Sequence, residues 1–509
     1  MNHVTDGLLA VLDPTVLIWI VVGLLIGMLV GAFPGITSTM GVALASGFTL
    51  TLEPLQGMAV LITIYVGATF GDRLPAILLN TPGTPASISS TFDGYPLAKQ
   101  GKAGLALTSS AIGTAVGLLT GVAVLAIAGV PLAALALRFG PAELFALVVV
   151  GITMMVGASS GRLWKGLASG VFGLLLATVG RDPITGDQRF TFGINELNSG
   201  IPFIPVIIGL FGLAEVMNQI IIHRSGKQPQ PVTQLGEWWP SKAIMKRLRK
   251  PTAIGAATGA AIGLVPAVGG DIAGILGWEN ARKASKNKEE FGKGSLEGLT
   301  AGDTSSAATL GGSLTTTLAL GVPGDSVMAV MIGSMLVWGI TPGPALFSES
   351  PDLVTSIVTI MVIATIVTLI LSLFRMRGVA KLLQLPKHYL WVIVVLFCLA
   401  GTFSVQSSIF DVVMMMVFAL VGLFMVRFGF PPGPAVLGLI LGPLAESNLR
   451  RSLVIDGWSG IFTSPIAVTL LAIAVLALVL PPVRQTLKKR KLLRTQSENE
   501  APAGEDIHA

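Results

Sequence analysis

Long apolar runs recur along this chain and are separated by short polar segments. They lie at residues 16–30, 105–137, 144–156, 354–373, 390–399, 412–426 and 466–480. A membrane-spanning helix needs about 20 mostly apolar residues, so the pattern predicts an all-α polytopic membrane protein. We expect about 12 transmembrane helices, together with two or more broken or re-entrant helical segments that are sheltered by protein or a water-filled cavity.

Glycine and proline interrupt the apolar sequence in the same way at two places. The first set is Gly23, Gly27, Gly31 and Pro34, and the second set, 232 residues later, is Gly255, Gly259, Gly263 and Pro266. A second break follows each set, at Pro82-Gly83 and at Pro323-Gly324. Glycine at every fourth position lets another backbone approach one helix face, and proline ends the helix. Matched breaks in two halves predict two internal repeats with a transport site between them.

Charged segments divide the chain into its predicted parts. Residues 1–222 form the first transmembrane repeat, 251–375 form the second, and 376–483 add further transmembrane helices. Residues 223–250 are a basic loop and 484–509 a basic and then polar tail, and the positive-inside rule places both in the cytoplasm. Spacing alone leaves parallel and inverted repeats open, and the inverted arrangement is favoured because it is common among secondary transporters.

Composition supports a membrane protein and excludes several function classes. Only 12% of the residues are charged, whereas a soluble domain has about 25%. The single cysteine, Cys398, excludes a disulfide within the chain and makes a cysteine-based metal site unexpected. The net charge of +6 lies mostly in loops and the tail, so it reports membrane orientation and not nucleic-acid binding. The first residues lack a basic segment, so the first apolar run is expected to be a retained membrane helix rather than a signal peptide.

Polar residues beside the breaks are the candidate substrate-binding groups. Helix N-termini after the breaks present free amides that favour carboxylates, and hydroxyl groups supply further donors. The predicted set is Pro34, Gly35, Thr37, Ser38, Asn80, Thr81, Pro82, Gly83, Thr84, Pro266, Gly269, Pro323, Gly324 and Ser326. The competing interpretation of any single glycine or hydroxyl in this set is helix packing, so the prediction depends on the Pro-Gly pairs taken together.

Three aspartates are predicted to bind the coupling ion, for which Na⁺ or H⁺ is expected; no other cofactor is expected. A charge at the centre of a spanning helix costs about 2.5–3.5 kcal/mol, so it marks a functional position. Asp271 and Asp325 follow the two breaks of the second half, and Asp303 lies between them. Asp303 is the strongest candidate because nothing nearby in the sequence neutralises it. Asp72 and Arg73 are adjacent, and a functional role is as open for them as a structural one, in which they pair with each other or lie at an interface.

These motifs resemble those of the large membrane subunit of tripartite tricarboxylate transporters, the TctA family. The similar segments are residues 27–35, 77–85, 92–101, 189–193, 291–294, 320–324, 339–344 and 441–446, in order over nearly the whole chain. The resemblance implies a bacterial inner-membrane secondary transporter driven by Na⁺ or H⁺. It also implies a small membrane subunit and a periplasmic solute-binding protein as partners, besides the lipid bilayer, and a small carboxylate such as citrate as substrate.

The chain departs from the family's usual pattern near the predicted site. Asp72-Arg73 stand where Gly-Ser is usual, Asp303 replaces a common Glu, and Ser306-Ala307 replace a common Asn-Asn. These differences leave the transporter class intact and leave the solute and the ion open. We hypothesise that Arg73 is a substrate counter-ion that other members lack, and it joins the predicted substrate-binding set.

Three other function classes compete with this interpretation. A stand-alone carboxylate carrier, which needs no binding protein, is the closest alternative. A channel would need a continuous pore, whereas paired broken segments favour an occluded site near the membrane midplane. An intramembrane enzyme would need a nucleophile–base pair, an acid dyad or a metal site, and none of the four histidines lies within an apolar run. Two membrane aspartates leave an acid dyad open, but the chain is expected not to be an enzyme.

Overall fold

The computed structural model describes residues 2–33, 35–158, 163–182, 185–223, 235–266, 269–382 and 387–479, and this part of the chain is almost entirely helical. The helices are α1 (Asn2–Val11), α2 (Pro14–Ala32), α3 (Ser38–Thr49), α4 (Pro54–Gly71), α5 (Arg73–Leu79), α6 (Ile88–Lys99), α7 (Ala103–Ala136), α8 (Pro141–Ala158), α9 (Leu163–Ala177), α10 (Phe203–Ile207), α11 (Ala214–His223), α12 (Lys242–Gly263), α13 (Gly269–Ala284), α14 (Leu296–Leu320), α15 (Ser326–Val337), α16 (Leu346–Glu349), α17 (Pro351–Leu382), α18 (Lys387–Gln406), α19 (Ile409–Phe428), α20 (Pro432–Thr463) and α21 (Pro465–Val479).

Short irregular elements complete the described chain. Strands β1 (Gly180–Arg181) and β2 (Gln188–Arg189) form a small antiparallel hairpin. A π-helical segment, Ile208–Leu213, joins α10 to α11, and 3₁₀ turns occur at Pro85–Ser87, Asn195–Ser199 and Lys288–Glu290. Pro34, part of the predicted basic loop (224–234) and the tail at 484–509 lie outside the described residues.

The all-α membrane class predicted from the sequence is confirmed, whereas the predicted number of spans is not. Six described helices are long and apolar enough to cross a membrane, and a seventh span results if the pair Gly457–Thr463 and Pro465–Val479, bent by 77°, is counted as one. Shorter apolar helices include Pro141–Val156 and Ser326–Val337. Length and hydropathy miss buried polar helices such as α14, so the figure of about 12 spans stays a prediction.

Each break in the chain ends one helix and begins the next with a polar cap. Asn80 ends α5 with φ 55°, and Gly321 ends α14 with φ 71°. Both residues tolerate this left-handed conformation better than other residues do. Thr37 begins α3 by accepting a hydrogen bond from the amide of Met40 (3.1 Å). Asp325 caps α15 in the same way, so the backbone groups released at each break acquire partners.

Glycine stripes bring the central helices into backbone contact, as their spacing predicts. A β-carbon built on Gly27 or Gly31 of α2 would overlap the backbone of α4. One built on Gly259 of α12 would likewise overlap the backbone of α14, and Gly121 of α7 lies against Gly311 on another side of α14. The largest apolar cluster joins α2, α4, α7, α14, α15 and α17. The broken segments therefore start from a tightly packed helical framework.

Candidate functional site

A polar cavity of about 260 Å³ lies where the broken segments of both halves meet. It is lined by Thr37, Ser38, Thr39, Tyr65, Thr69, Asp72, Thr84, Pro85, Ala86, Met155, Phe211, Gly269, Gly270, Asp271, Ser306, Leu310, Asp325, Ser326 and Val327. Residues separated by more than 200 positions in sequence thus share one chamber.

Helix beginnings supply most of the polar wall of this cavity. The first turns of α3, α13 and α15 line it, together with the 3₁₀ turn that precedes α6. The first amides of a helix lack partners within the helix and carry a partial positive charge. The cavity is therefore chemically suited to oxygen-rich ligands at those turns.

The lining residues from the two halves occur at constant sequence offsets. Residues 269–271 follow 37–39 by 232 positions, and 325–327 follow 84–86 by 241. The same offset of 241 relates Tyr65 to Ser306 and Thr69 to Leu310, which also line the cavity. Many of the lining residues at positions 37–86 are therefore related to lining residues at positions 269–327 by one of two sequence offsets.

Three carboxylates line the cavity, and no Lys, Arg or His does so among the described residues. The Tyr65 hydroxyl donates to Oδ2 of Asp325 (2.8 Å), and the amide of Met328 donates to Oδ1 (2.9 Å). Thr84 Oγ1 donates to Oδ2 of Asp72 at 2.5 Å. Asp271, in the first turn of α13, is the exposed member of the three. The wall has an excess of negative charge that a bound ligand must offset.

A buried ionic cluster lies directly behind this wall. Arg73 Nε is 3.5 Å from Asp72 Oδ1 and 3.4 Å from Asp303 Oδ1, and all three side chains are buried. Asp303 also accepts hydrogen bonds of 2.5 Å from Ser90 and Ser110. One guanidinium therefore faces two carboxylates. Asp72 is adjacent to Arg73 in the sequence, whereas Asp303 comes from a distant segment of the chain.

The structure brings part of the predicted site into the cavity wall. Thr37, Ser38, Thr84, Gly269, Ser326, Asp271 and Asp325 line it. Arg73 and Asp303 lie behind it in the ionic cluster. Gly35, Asn80, Thr81, Pro82, Gly83, Pro266, Pro323 and Gly324 shape the breaks and are not among the lining residues, and Pro34 lies outside the described residues. The roles predicted for all these residues stay predictions.

Several lining residues carried no sequence signal strong enough to select them. Phe211 lies in the π-helical segment and Met155 in α8, and both are ordinary apolar residues in apolar helices. Tyr65 had a usable signal, since the chain has only three tyrosines and this one stands among apolar residues. Its hydroxyl needs a buried partner there, which Asp325 supplies.

No group of three or more His, Cys, Asp or Glu side chains suited to a metal ion occurs in the part of the chain that the structure describes. Asp72, Asp271 and Asp325 are separate members of the cavity wall.

Comparison with known proteins gives a family match. The family model described as "Tripartite tricarboxylate transporter TctA family" matches residues 17–437. A protein from Agrobacterium vitis, described as "Uncharacterized 52.8 kDa protein in TAR-I ttuC' 3'region", is 36% identical over 494 residues, which cover 96% of this chain and 98% of that protein. A second, described as "Uncharacterized protein in TAR-II ttuC' 3'region" from the same organism, is 33% identical over 234 residues, 46% of this chain and 97% of its own length. No solved structure matches.

Proposed function

From the premise that this chain belongs to the tripartite tricarboxylate transporter TctA family, we propose that it takes up a small carboxylate at the expense of an ion gradient. Membership makes the chain a multi-pass membrane component of a tricarboxylate transporter and not an enzyme, as its sequence predicts. The identity of the solute, the coupling ion and the route of delivery are the proposed parts.

The observation that carries the proposal is the cavity between the two halves. Its wall combines helix beginnings, which favour carboxylates, with hydroxyl groups such as those of Thr37 and Ser38. Broken helices that meet around a central chamber are typical of secondary transporters. The cavity volume, about 260 Å³, suits a small solute.

Contacts with α17 support an inverted relationship between the two repeats. Ser356, near the start of α17, donates to the carbonyl of Gly7 in α1 (3.0 Å). Trp238, just before α12, donates to the carbonyl of Leu373 near the other end of α17 (3.0 Å). The glycine-striped helices α2 and α12 are therefore entered from opposite ends of one long helix, as inverted repeats require.

The charge of the wall supports ion coupling. Asp72, Asp271 and Asp325 would repel a carboxylate that entered alone, so a cation or proton must enter with it. Asp271 and Asp325 are the proposed ion-binding residues within the cavity. Asp303 and Arg73 act from behind the wall. Arg73 approaches the lining residues Ser306 and Asp72, and Asp303 contacts Arg73, so the proposed roles of both in ion coupling and substrate attraction run through Arg73.

The proposed cycle is alternating access. A periplasmic solute-binding protein delivers the carboxylate to the outer face, and a small membrane subunit completes the complex in the bacterial inner membrane. Solute and cation occupy the cavity together, and movement of one repeat against the other opens it to the cytoplasm. The family's tripartite description supports the existence of partner subunits.

Uptake by proteoliposomes tests this proposal. The full chain, co-purified with its small membrane subunit, is given labelled citrate and the purified solute-binding protein under an imposed Na⁺ or proton gradient. We expect gradient-dependent uptake that Asp271→Asn reduces strongly and that Asp187→Asn, at an exposed position in the hairpin, leaves unchanged. Uptake that persists without the binding protein would favour a stand-alone carrier. Absence of uptake for citrate and a panel of small carboxylates would refute the proposal.

A further inference from the structure

Two hydroxyl–carboxylate pairs bridge the breaks at corresponding positions of the two halves. Thr84 donates to Asp72 across the first break (2.5 Å), and Ser313 hydrogen-bonds Asp325 across the second. Asp72 corresponds to Ser313 and Thr84 to Asp325 at the offset of 241 residues. The carboxylate and the hydroxyl have therefore exchanged places between the halves, and the two aspartates can be compared directly.

Asp325 has a full set of hydrogen-bond donors. The Tyr65 hydroxyl reaches Oδ2 (2.8 Å), the amide of Met328 reaches Oδ1 (2.9 Å), and Ser313 adds a third bond. A buried carboxylate with donors on both oxygens is well stabilised in its charged form. Both carboxylate oxygens of Asp325 therefore have hydrogen-bond partners within the protein.

Asp72 lacks such a set. It is 1% exposed and lines the cavity, yet its Oδ1 accepts no hydrogen bond from any described residue. The nearest cationic atom is Arg73 Nε at 3.5 Å, outside hydrogen-bond length. A buried charged oxygen without a donor is costly. Oδ1 of Asp72 therefore requires a further positive partner.

Arg73 cannot supply that partner in full. Its Nη1 donates to the carbonyl of Ala86 (3.1 Å), its Nη2 donates to Ser306 (3.1 Å), and its Nε is as close to Asp303 as to Asp72. The charged groups that act on Asp72 are Arg73, Asp303 and Asp271, which together add more negative than positive charge. One negative charge of the cluster is left uncompensated beside the cavity.

We propose that Oδ1 of Asp72 binds a proton from the water of the cavity and that this proton is a coupling ion of the transporter. The inference rests on the proposed function and deepens it. A proton needs one unpartnered oxygen, which the geometry provides, whereas a metal ion needs several oxygen ligands around it. Protonation neutralises Asp72 and thereby lowers the repulsion of a carboxylate in the cavity, and release of the proton restores the repulsion that expels the solute.

Carbodiimide labelling of the unmodified full chain in membranes tests the proposal without a variant. Dicyclohexylcarbodiimide reacts with protonated carboxyl groups in apolar surroundings, and peptide mass spectrometry locates the product. We expect label at Asp72 that decreases as the pH is raised. Label absent from Asp72 at every pH, or independent of pH, would overturn the inference. Protection by sodium chloride at constant pH would also overturn it, because a sodium ion would then occupy this oxygen.

Two variants sharpen the result through infrared pH-difference spectra of the purified full chain. Asp72→Asn should remove one carbonyl band of a protonated carboxylic acid. Asp303→Asn leaves Arg73 to pair with Asp72 alone, so the band and the carbodiimide label at Asp72 should both weaken at a given pH. The exposed variant Asp187→Asn should match the unmodified chain. A band that survives in Asp72→Asn would overturn the inference.

These readouts are independent of transport. Labelling of Asp72 without uptake of any carboxylate would refute the proposed function and leave the proton site standing. Uptake without a pH-dependent Asp72 label would refute the proton site alone.

Discussion

Replacement of Arg73 by methionine tests how the buried ionic cluster is stabilised. Methionine retains much of the apolar length of the side chain and removes its charge. Arg73→Met leaves Asp72 and Asp303 facing each other without their cation, and it removes the hydrogen bonds to Ala86 and Ser306. Removing one partner of a buried ion pair typically costs about 3–5 kcal/mol. We expect a loss of unfolding free energy in that range.

A second substitution should recover part of this loss. Asp303→Asn in the Arg73→Met background removes one of the two uncompensated charges. One of Ser90 and Ser110 can still donate to the amide oxygen, while the other can accept from the amide nitrogen. Residues in one network show interaction energies of about 0.5–3 kcal/mol. We expect the double variant to be more stable than Arg73→Met by an amount within that range, although Asp303→Asn alone destabilises the protein.

The single cysteine provides the assay. Cys398 is 0% exposed, so a fluorogenic maleimide reacts with it only when the surrounding helices open. Thermal unfolding of each variant in detergent is followed by this fluorescence. Arg451→Met, at an exposed position of α20, is the matched control and should change stability by no more than about 0.5 kcal/mol.

Two results would contradict the reasoning. Arg73→Met could unfold at the same temperature as the unmodified chain, which would mean that the guanidinium stabilises neither carboxylate. Alternatively, Asp303→Asn could cost the same free energy with and without Arg73, and the absence of coupling would show that the 3.4 Å pair does not act as one unit.

Three further perturbations test other parts of the structure. Gly259→Val should destabilise the packing of α12 on α14 by about 1–3 kcal/mol through overpacking, whereas Ala257→Val, exposed on the same helix, should not. Unfolding followed with the maleimide compares the two variants, and equal unfolding curves would contradict the close helix contact. Tyr65→Phe should cost about 1–3 kcal/mol because it deprives the partly buried Asp325 of a donor, and an unchanged unfolding temperature would argue against that bond. Arg189→Gln breaks a partly exposed bidentate ion pair with Glu446 of α20 and should lower global stability by at most about 1 kcal/mol. It should also accelerate limited proteolysis in the β1–β2 hairpin, and unchanged cleavage would show that the ion pair does not anchor this hairpin.

The sequence was informative wherever one residue type had a strict local consequence. Glycine at every fourth position requires a close neighbour, and a proline in an apolar run requires a break, so both sets of breaks could be located without coordinates. Thr37, Thr84 and Asp325 could be selected from the sequence because each begins a helical segment after a break. Local rules of capping and helix termination are sufficient for such positions.

The rest of the site depends on contacts between distant segments. The pairing of Arg73 with Asp303 joins residues 230 positions apart, and the bond from Tyr65 to Asp325 spans 260. The sequence suggested that nothing nearby neutralises Asp303, which is correct along the chain but not in space. The number of crossings was equally hard to derive, because α14 is rich in Ser and Thr and is buried by protein on most sides, so hydropathy does not mark it.

The backbone contacts of α14 determine which parts of the molecule can move. At Gly311 and Gly312 this helix is held between α7 and α12, and a β-carbon added at either position would overlap a neighbouring main chain. Helices in such close backbone contact cannot slide past one another without separating first, so we expect these three to move as one rigid body. In the proposed cycle, we therefore expect the rearrangement at the boundary between that body and the α2–α4 pair, where residues of α4 and α14 both line the cavity. The hinges of the cycle should accordingly be sought in the connections that cross it, and spectroscopic distance labels would be most informative when one is placed on each side.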